Sequence, residues 1–279
     1  MAIFSSENKE NLKKRAIFRF FETIVNSFSK LILVNLLYFI CILPMFFGVV
    51  YLFCVLFISP ESTLVQNSSF VHMTMWTLDG VIKFLGLIIA GIFFLLSCIA
   101  YGPLTAGLTY CTRNIVQGRI VFVTDLFTKA KENIKQGIIL GLTDIFVFAS
   151  FMLYLASDVS VLNGTYALIF KIVKIIAILI CIAYLCLRFY TYTMCVTFNL
   201  ELKHIFGNAL RFLVLGFFKN LIALLLVAIV LVSFLSTPRI DIILIITLFF
   251  SILRFSVQFT TFPIIEKYML KNDHNQKSN

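Results

Sequence analysis

The stretch "GIILGLTDIFVFASFMLYLA", Gly137–Ala156, decides how this chain folds. It carries one charge, Asp144, in an otherwise apolar run. A helix needs ~20 largely apolar residues to cross a bilayer core ~30 Å thick, and this run supplies them. It offers no polar face to water, so it reads as a membrane span. Five further segments read the same way: Leu31–Ile58, interrupted at Pro44, Phe84–Tyr101, Ala167–Leu187, Phe212–Ser236 and Ile240–Phe262. The expected fold is therefore all-α, a polytopic membrane bundle of about six transmembrane helices. The six-span domain covers residues 31–263, between an N-terminal segment, 1–30, and a polar tail, 264–279.

Composition points the same way. Of 279 residues 61% are hydrophobic and only 13% charged, with a mean hydropathy of +1.01. Soluble domains carry about 25% charged residues, so this chain cannot coat itself for water. Thirty-two Phe against one Trp suggest lipid-facing bulk rather than tryptophan belts at the interface. In a soluble protein a net charge of +10 would suggest nucleic acid. In a membrane protein the basic residues mark cytoplasmic loops and attract anionic headgroups. The lipid bilayer is thus the expected partner, and no nucleic acid is expected. The seven Cys mostly lie within apolar runs and form no CxxC pair, so they read as small buried residues. No metal or other cofactor is expected. The polar, basic start of the chain is unlike a signal peptide.

The basic residues also set an orientation. Lys9, Lys13, Lys14, Arg15, Arg19 and Lys30 precede the first span. Arg113, Arg119, Lys129, Lys131 and Lys135 join the second to the third, and Arg188, Lys203 and Arg211 the fourth to the fifth. Lys267, Lys271 and Lys277 follow the sixth. The opposite side has Lys83, Lys171, Lys174 and Arg239. Cytoplasmic loops carry the Lys/Arg excess, so both termini are expected in the cytoplasm of a cell-membrane protein.

Two connecting pieces look amphipathic. In "RAIFRFFETIVNSFSK", 15–30, Ile17, Phe20, Phe21, Ile24 and Phe28 recur at helical spacing. They predict a helix lying in the membrane interface or packed on the bundle. In "TDLFTKAKENIKQG", 124–137, Thr124 is placed to cap a helix beginning at Asp125. The outer loops hold Asn67-Ser-Ser and Asn163-Gly-Thr, which fit glycosylation acceptors in a secretory pathway.

The runs "VNLLYFICILP", "YGPLTAGLTYCTRNIVQGRIVFVTDLFTKAKENIKQGIILGL" and "RFYTYTMCVTFNLELKHIFGNALRFL" together resemble the YesL family. These are bacterial polytopic membrane proteins grouped as a domain of unknown function. The family pattern has Asn-Leu-Leu-Trp and Leu-Pro, then Gly-Pro-Ala-Thr-Ala-Ala, Asp-Phe-Phe and Asn-Phe-Lys-Gln. Here Tyr38 stands for the Trp, Leu104 for the Ala and Asp125-Leu-Phe for Asp-Phe-Phe, while Asn133 and Gln136 match. The resemblance covers most of the chain, although a long loop between Pro44 and Gly102 departs from some members. It implies a role beside carbohydrate transporters and supplies no reaction or catalytic residue.

Pro44, Gly102 and Pro103 are the candidate helix breaks, because proline lacks an amide donor and glycine frees the backbone. Gly102, Ala106 and Gly107 also permit close helix approach. Asp144 needs a partner, water or a proton, since a bare charge at that depth costs ~2.5–3.5 kcal/mol or more. Counting ~1.5 Å per residue puts Asp144, Lys219 and Arg254 ~10–12 Å in from one side. They are the candidate intramembrane cluster, lining a solute or proton path or forming a structural ion pair, with Arg254 the better bidentate partner.

Enzymatic chemistry is not expected. The His are His72, His204 and His274, and no HExxH, Walker or Gly-x-Ser-x-Gly motif occurs. The leading expectation is a membrane protein accessory to, or regulating, carbohydrate uptake, with carbohydrate transporter subunits as partners. The alternative is a small-solute transporter or substrate-binding membrane subunit. A lipid-organising scaffold is the third.

Overall fold

A computed structural model describes residues 16–57, 78–157, 165–235 and 245–270. Within them the chain is all helical and contains no strand. The helices are α1 (Ala16–Asn26), α2 (Phe28–Phe57), α3 (Leu78–Val116), α4 (Thr124–Glu132), α5 (Ile134–Ala156), α6 (Thr165–Thr197), α7 (Leu202–Leu215), α8 (Phe217–Leu235) and α9 (Phe250–Ile265). Short π-helical turns, Ile245–Phe249 and Glu266–Leu270, flank α9. Asn67, Asn163, residues 1–15 and the tail from 271 onward lie outside the described residues.

Among the described residues five helical stretches are long and apolar enough to cross a membrane, and the pair α7–α8 makes a sixth. This is a multi-pass membrane architecture, because only a helix pairs every backbone group within its own segment. Two spans outrun their apolar windows. α3 continues past Tyr101 to Val116, and α6 continues past Leu187 to Thr197. The polar residues of these extensions face protein rather than lipid, so Arg113, Tyr190, Tyr192 and Thr193 are buried. Hydropathy windows stop where polarity appears, whereas a helix stops where its backbone bonding stops.

The expected breaks at Pro44, Gly102 and Pro103 are corrected by the structure: both prolines lie inside continuous helices. A break within hydrocarbon would strand backbone groups, so the chain absorbs the missing amide and continues. At Gly102 the glycine serves proximity instead. A Cβ there would lie 1.8 Å from the Gly137 carbonyl oxygen, and one on Gly141 would lie 2.5 Å from the Gly102 Cα. α3 and α5 therefore touch backbone to backbone. Gly107 does the same for α4, since its Cβ would lie 2.2 Å from the Leu126 carbonyl oxygen.

The fifth span is not straight. α7 and α8 meet at 92° across Gly216, where a Cβ would lie 2.4 Å from the Tyr190 hydroxyl. The start of α4 also differs from expectation. It begins at Thr124, which makes no cap, and the Asp125 carboxylate accepts the Phe122 amide at 2.9 Å.

α3 is the hub, packing against α2, α4, α5, α6 and α9. One apolar core gathers Leu31, Val34, Tyr38, Leu108, Leu126 and Phe255 around it. A second joins Tyr190, Tyr192, Met194, Ile205, Phe212 and Val257. Both lie toward the end that carries the basic connections. Further along α6, Leu168, Ile175 and Ile180 are exposed, as lipid-facing residues are. α1 divides its apolar residues. Phe20 packs on Phe255 and Phe259, while Ile17, Phe18, Phe21 and Val25 stay exposed.

Candidate functional site

The buried polar centre is built on α6. Tyr184, Arg188 and Tyr192 are spaced four residues apart, which aligns them on one helix face. That face meets Asp144 of α5, which is 2% exposed. Asp144 Oδ1 accepts from the Tyr184 hydroxyl at 2.7 Å. Its Oδ2 accepts from Arg188 Nε at 2.6 Å and from the Tyr192 hydroxyl at 2.7 Å. Arg188 Nη2 donates to the Tyr101 hydroxyl of α3. Its guanidinium also lies 5.7 Å from the Phe148 ring centroid and 5.3 Å from that of Tyr192. Both ions are thus paired and hydrogen-bonded, the condition under which charge is tolerated away from water.

The partner of Asp144 is therefore Arg188, not Arg254 or Lys219. By hydropathy alone Arg188 falls in a loop, because the apolar run ends before it. In fact it sits nine residues before the end of α6, ~14 Å along the helix, level with Asp144 ten residues into α5. Lys219 is exposed, only two residues beyond the start of α8, because the bend at Gly216 removes the depth a straight span would give it. Arg254 does reach the centre by another route. It is 6% exposed, and its guanidinium lies 5.0 Å from the Tyr192 ring centroid. Tyr192 so carries two cations against one ring and gives its hydroxyl to the carboxylate.

Around this centre the helices present further buried polar groups. α9 carries Ser251, Arg254, Gln258 and Thr261, all buried. Gln258 Nε2 donates to Thr193 Oγ1 of α6 at 2.7 Å. Tyr38 of α2 bonds Thr105 of α3 at 2.9 Å. Asn35 spans the junction of the π-turn and α9. Its Nδ2 donates to the Ile246 carbonyl at 2.7 Å and its Oδ1 accepts the Ser251 amide at 2.9 Å. The sequence signal for the missed partner was the Tyr-x-x-x-Arg-x-x-x-Tyr spacing itself, which only a helix running past Leu187 turns to one side.

A groove of about 500 Å³ opens elsewhere, where the α4–α5 junction meets the end of α6. Asn133, Gln136, Cys195 and Asn199 line it. Gln136 Nε2 donates to the Leu200 carbonyl at 2.7 Å, and Cys195 Sγ approaches Gln136 Oε1 at 3.4 Å. Arg113 holds the adjoining end of α6, donating to Thr197 Oγ1 at 2.6 Å and the Val196 carbonyl at 3.2 Å.

Fold and centre define an all-helical, multi-pass membrane protein with a buried Asp–Arg–Tyr cluster and a second, singly placed arginine. No protein-family model, curated protein or solved structure matches this chain.

Proposed function

We propose that this chain is a non-enzymatic membrane protein that holds a small polar solute inside its bundle, as a substrate-binding subunit or transporter. One observation carries the reading. α9 turns a stripe of buried polar side chains, Ser251, Arg254, Gln258 and Thr261, toward its neighbours instead of toward water. A bundle that only anchored itself would gain by filling those positions with apolar residues, because polar groups in hydrocarbon are expensive. Native mass spectrometry of the protein released from its own membranes tests this. Retention of a reproducible small molecule is the expected result. Repeated recovery with nothing but lipid would count against it.

The resemblance to the YesL family supports a second reading, an accessory or regulatory part in carbohydrate uptake. The polar groove of about 500 Å³ beside the basic connections offers a place for a transporter subunit to engage. Affinity purification in mild detergent should then recover a permease or its ATPase in stoichiometric amount. The charge distribution supports a cell-membrane location with both termini cytoplasmic.

A further inference from the structure

We infer that Arg254 and Gln258 form a binding site for a small organic anion that also carries a hydroxyl. The inference rests on the solute-binding reading and names the chemistry of the solute. Asp144 is the only buried carboxylate among the described residues, and Arg188, Tyr184 and Tyr192 occupy its two oxygens. Among the described residues no hydrogen bond or ion pair engages the Arg254 guanidinium, whose cation rests over the Tyr192 ring at 5.0 Å. The centre thus holds two guanidinium ions against one carboxylate. A guanidinium offers five N–H donors in a planar fork, suited to carboxylate or phosphate oxygens. With 6% exposure, Arg254 has little water to use instead.

The second half of the site is an acceptor. Thr193 Oγ1 donates to the Phe189 carbonyl at 2.8 Å, so its one proton is spent. It can only accept from Gln258, which fixes the amide with Nε2 on Thr193 at 2.7 Å. Gln258 Oε1 is left buried with no hydrogen-bond partner. Arg254 and Gln258 are four residues apart, so they share one face of α9, ~6 Å apart along the axis. Both meet α6, Arg254 at Tyr192 and Gln258 at Thr193. The two complementary requirements are an anionic group at Arg254 and an O–H donor at Gln258. Hydroxy acids and phosphorylated polyols meet both, as does a phosphoglycerol headgroup. Both residues are buried rather than on the lipid-exposed surface, which favours the free solute.

The test uses the full chain in nanodiscs of zwitterionic lipid, with gluconate, inorganic phosphate and glucose as probes. Calorimetric titration should show gluconate binding at least tenfold more tightly than glucose. Arg254→Gln should abolish that preference, and Arg254→Lys should retain part of it. Gln258→Leu should weaken gluconate severalfold and leave phosphate nearly unchanged, a readout that misfolding would not give. Glucose binding equal to gluconate, and indifferent to Arg254→Gln, would overturn the site while leaving solute binding intact. Binding of none of the probes, with no effect of phosphatidylglycerol, would overturn both. Arg254-dependent stabilisation by phosphatidylglycerol alone would support the anion site and make the headgroup its source.

Discussion

Asp144 has two carboxylate oxygens and three donors, and each donor comes from α6. Removing its charge leaves Arg188, half-buried, with only the Tyr101 hydroxyl and aromatic rings around it. Asp144→Asn should destabilise the protein by ~3–5 kcal/mol, the usual penalty for breaking a buried pair from one side. Thermal unfolding in detergent measures it. Arg188→Gln should cost a similar amount, and the double variant clearly less than the sum, because neither charge is then orphaned. Strict additivity would mean that the two side chains do not form one unit. The oddity of Asp144 was legible in the sequence, since a lone carboxylate in an apolar run demands a partner. Its partner was not, because a charge at the edge of a hydropathy window looks like a loop. Lys219 is misleading for another reason: composition presents one straight fifth span, and the bend at Gly216 takes away the depth that span would give it.

At the scale of elements, the glycines of α3 and α5 do more than the prolines. Gly102, Gly137 and Gly141 let two backbones meet without side chains between them. Gly141→Ala should force the helices apart and lower stability by roughly 1–3 kcal/mol, the range for overpacked sites. Gly207 on α7 is the matched control, for a Cβ there meets nothing within 4 Å and the residue is exposed. Gly207→Ala should raise stability by up to ~1 kcal/mol through helix propensity. A loss at Gly207 equal to that at Gly141 would show that the close contact is not the cause. Small residues near Gly102 could be read from the sequence, as could the existence of each span. The continuity of α3 and α6, and the 92° turn at Gly216, depend on neighbours that supply packing for polar residues and for a bend. Those neighbours are distant in sequence. Three polar residues of the quoted runs act as braces between such neighbours. Tyr38 joins α2 to α3, Asn35 joins α2 to α9, and Gln136 joins α5 to the segment after α6.

For the whole molecule the governing asymmetry is charge. The connections between α3 and α5 and between α6 and α8, together with both terminal segments, hold most of the Lys and Arg. The packed cores lie toward that same end, and so does α1, which keeps Ile17, Phe18, Phe21 and Val25 exposed beside Arg19. An apolar face flanked by basic residues lies in an interface with anionic headgroups, the arrangement expected on the cytoplasmic leaflet. The orientation can be tested without disturbing the bundle. Single cysteines at Asn163 and Ser278, in a chain whose native Cys are replaced by Ala or Ser, would be labelled with a membrane-impermeant maleimide on intact cells. Asn163 should react at once, and Ser278 only after permeabilisation. The reverse pattern would put the basic end outside, against the positive-inside rule, and α1 would then face the wrong leaflet for its charge. Adding two Lys beside Asn163 should weaken the bias, because orientation follows the difference in Lys and Arg between the two sides and the outer side starts with few. A mixed labelling pattern in that variant, with the parent uniform, would show charge setting the topology rather than the packing of the bundle.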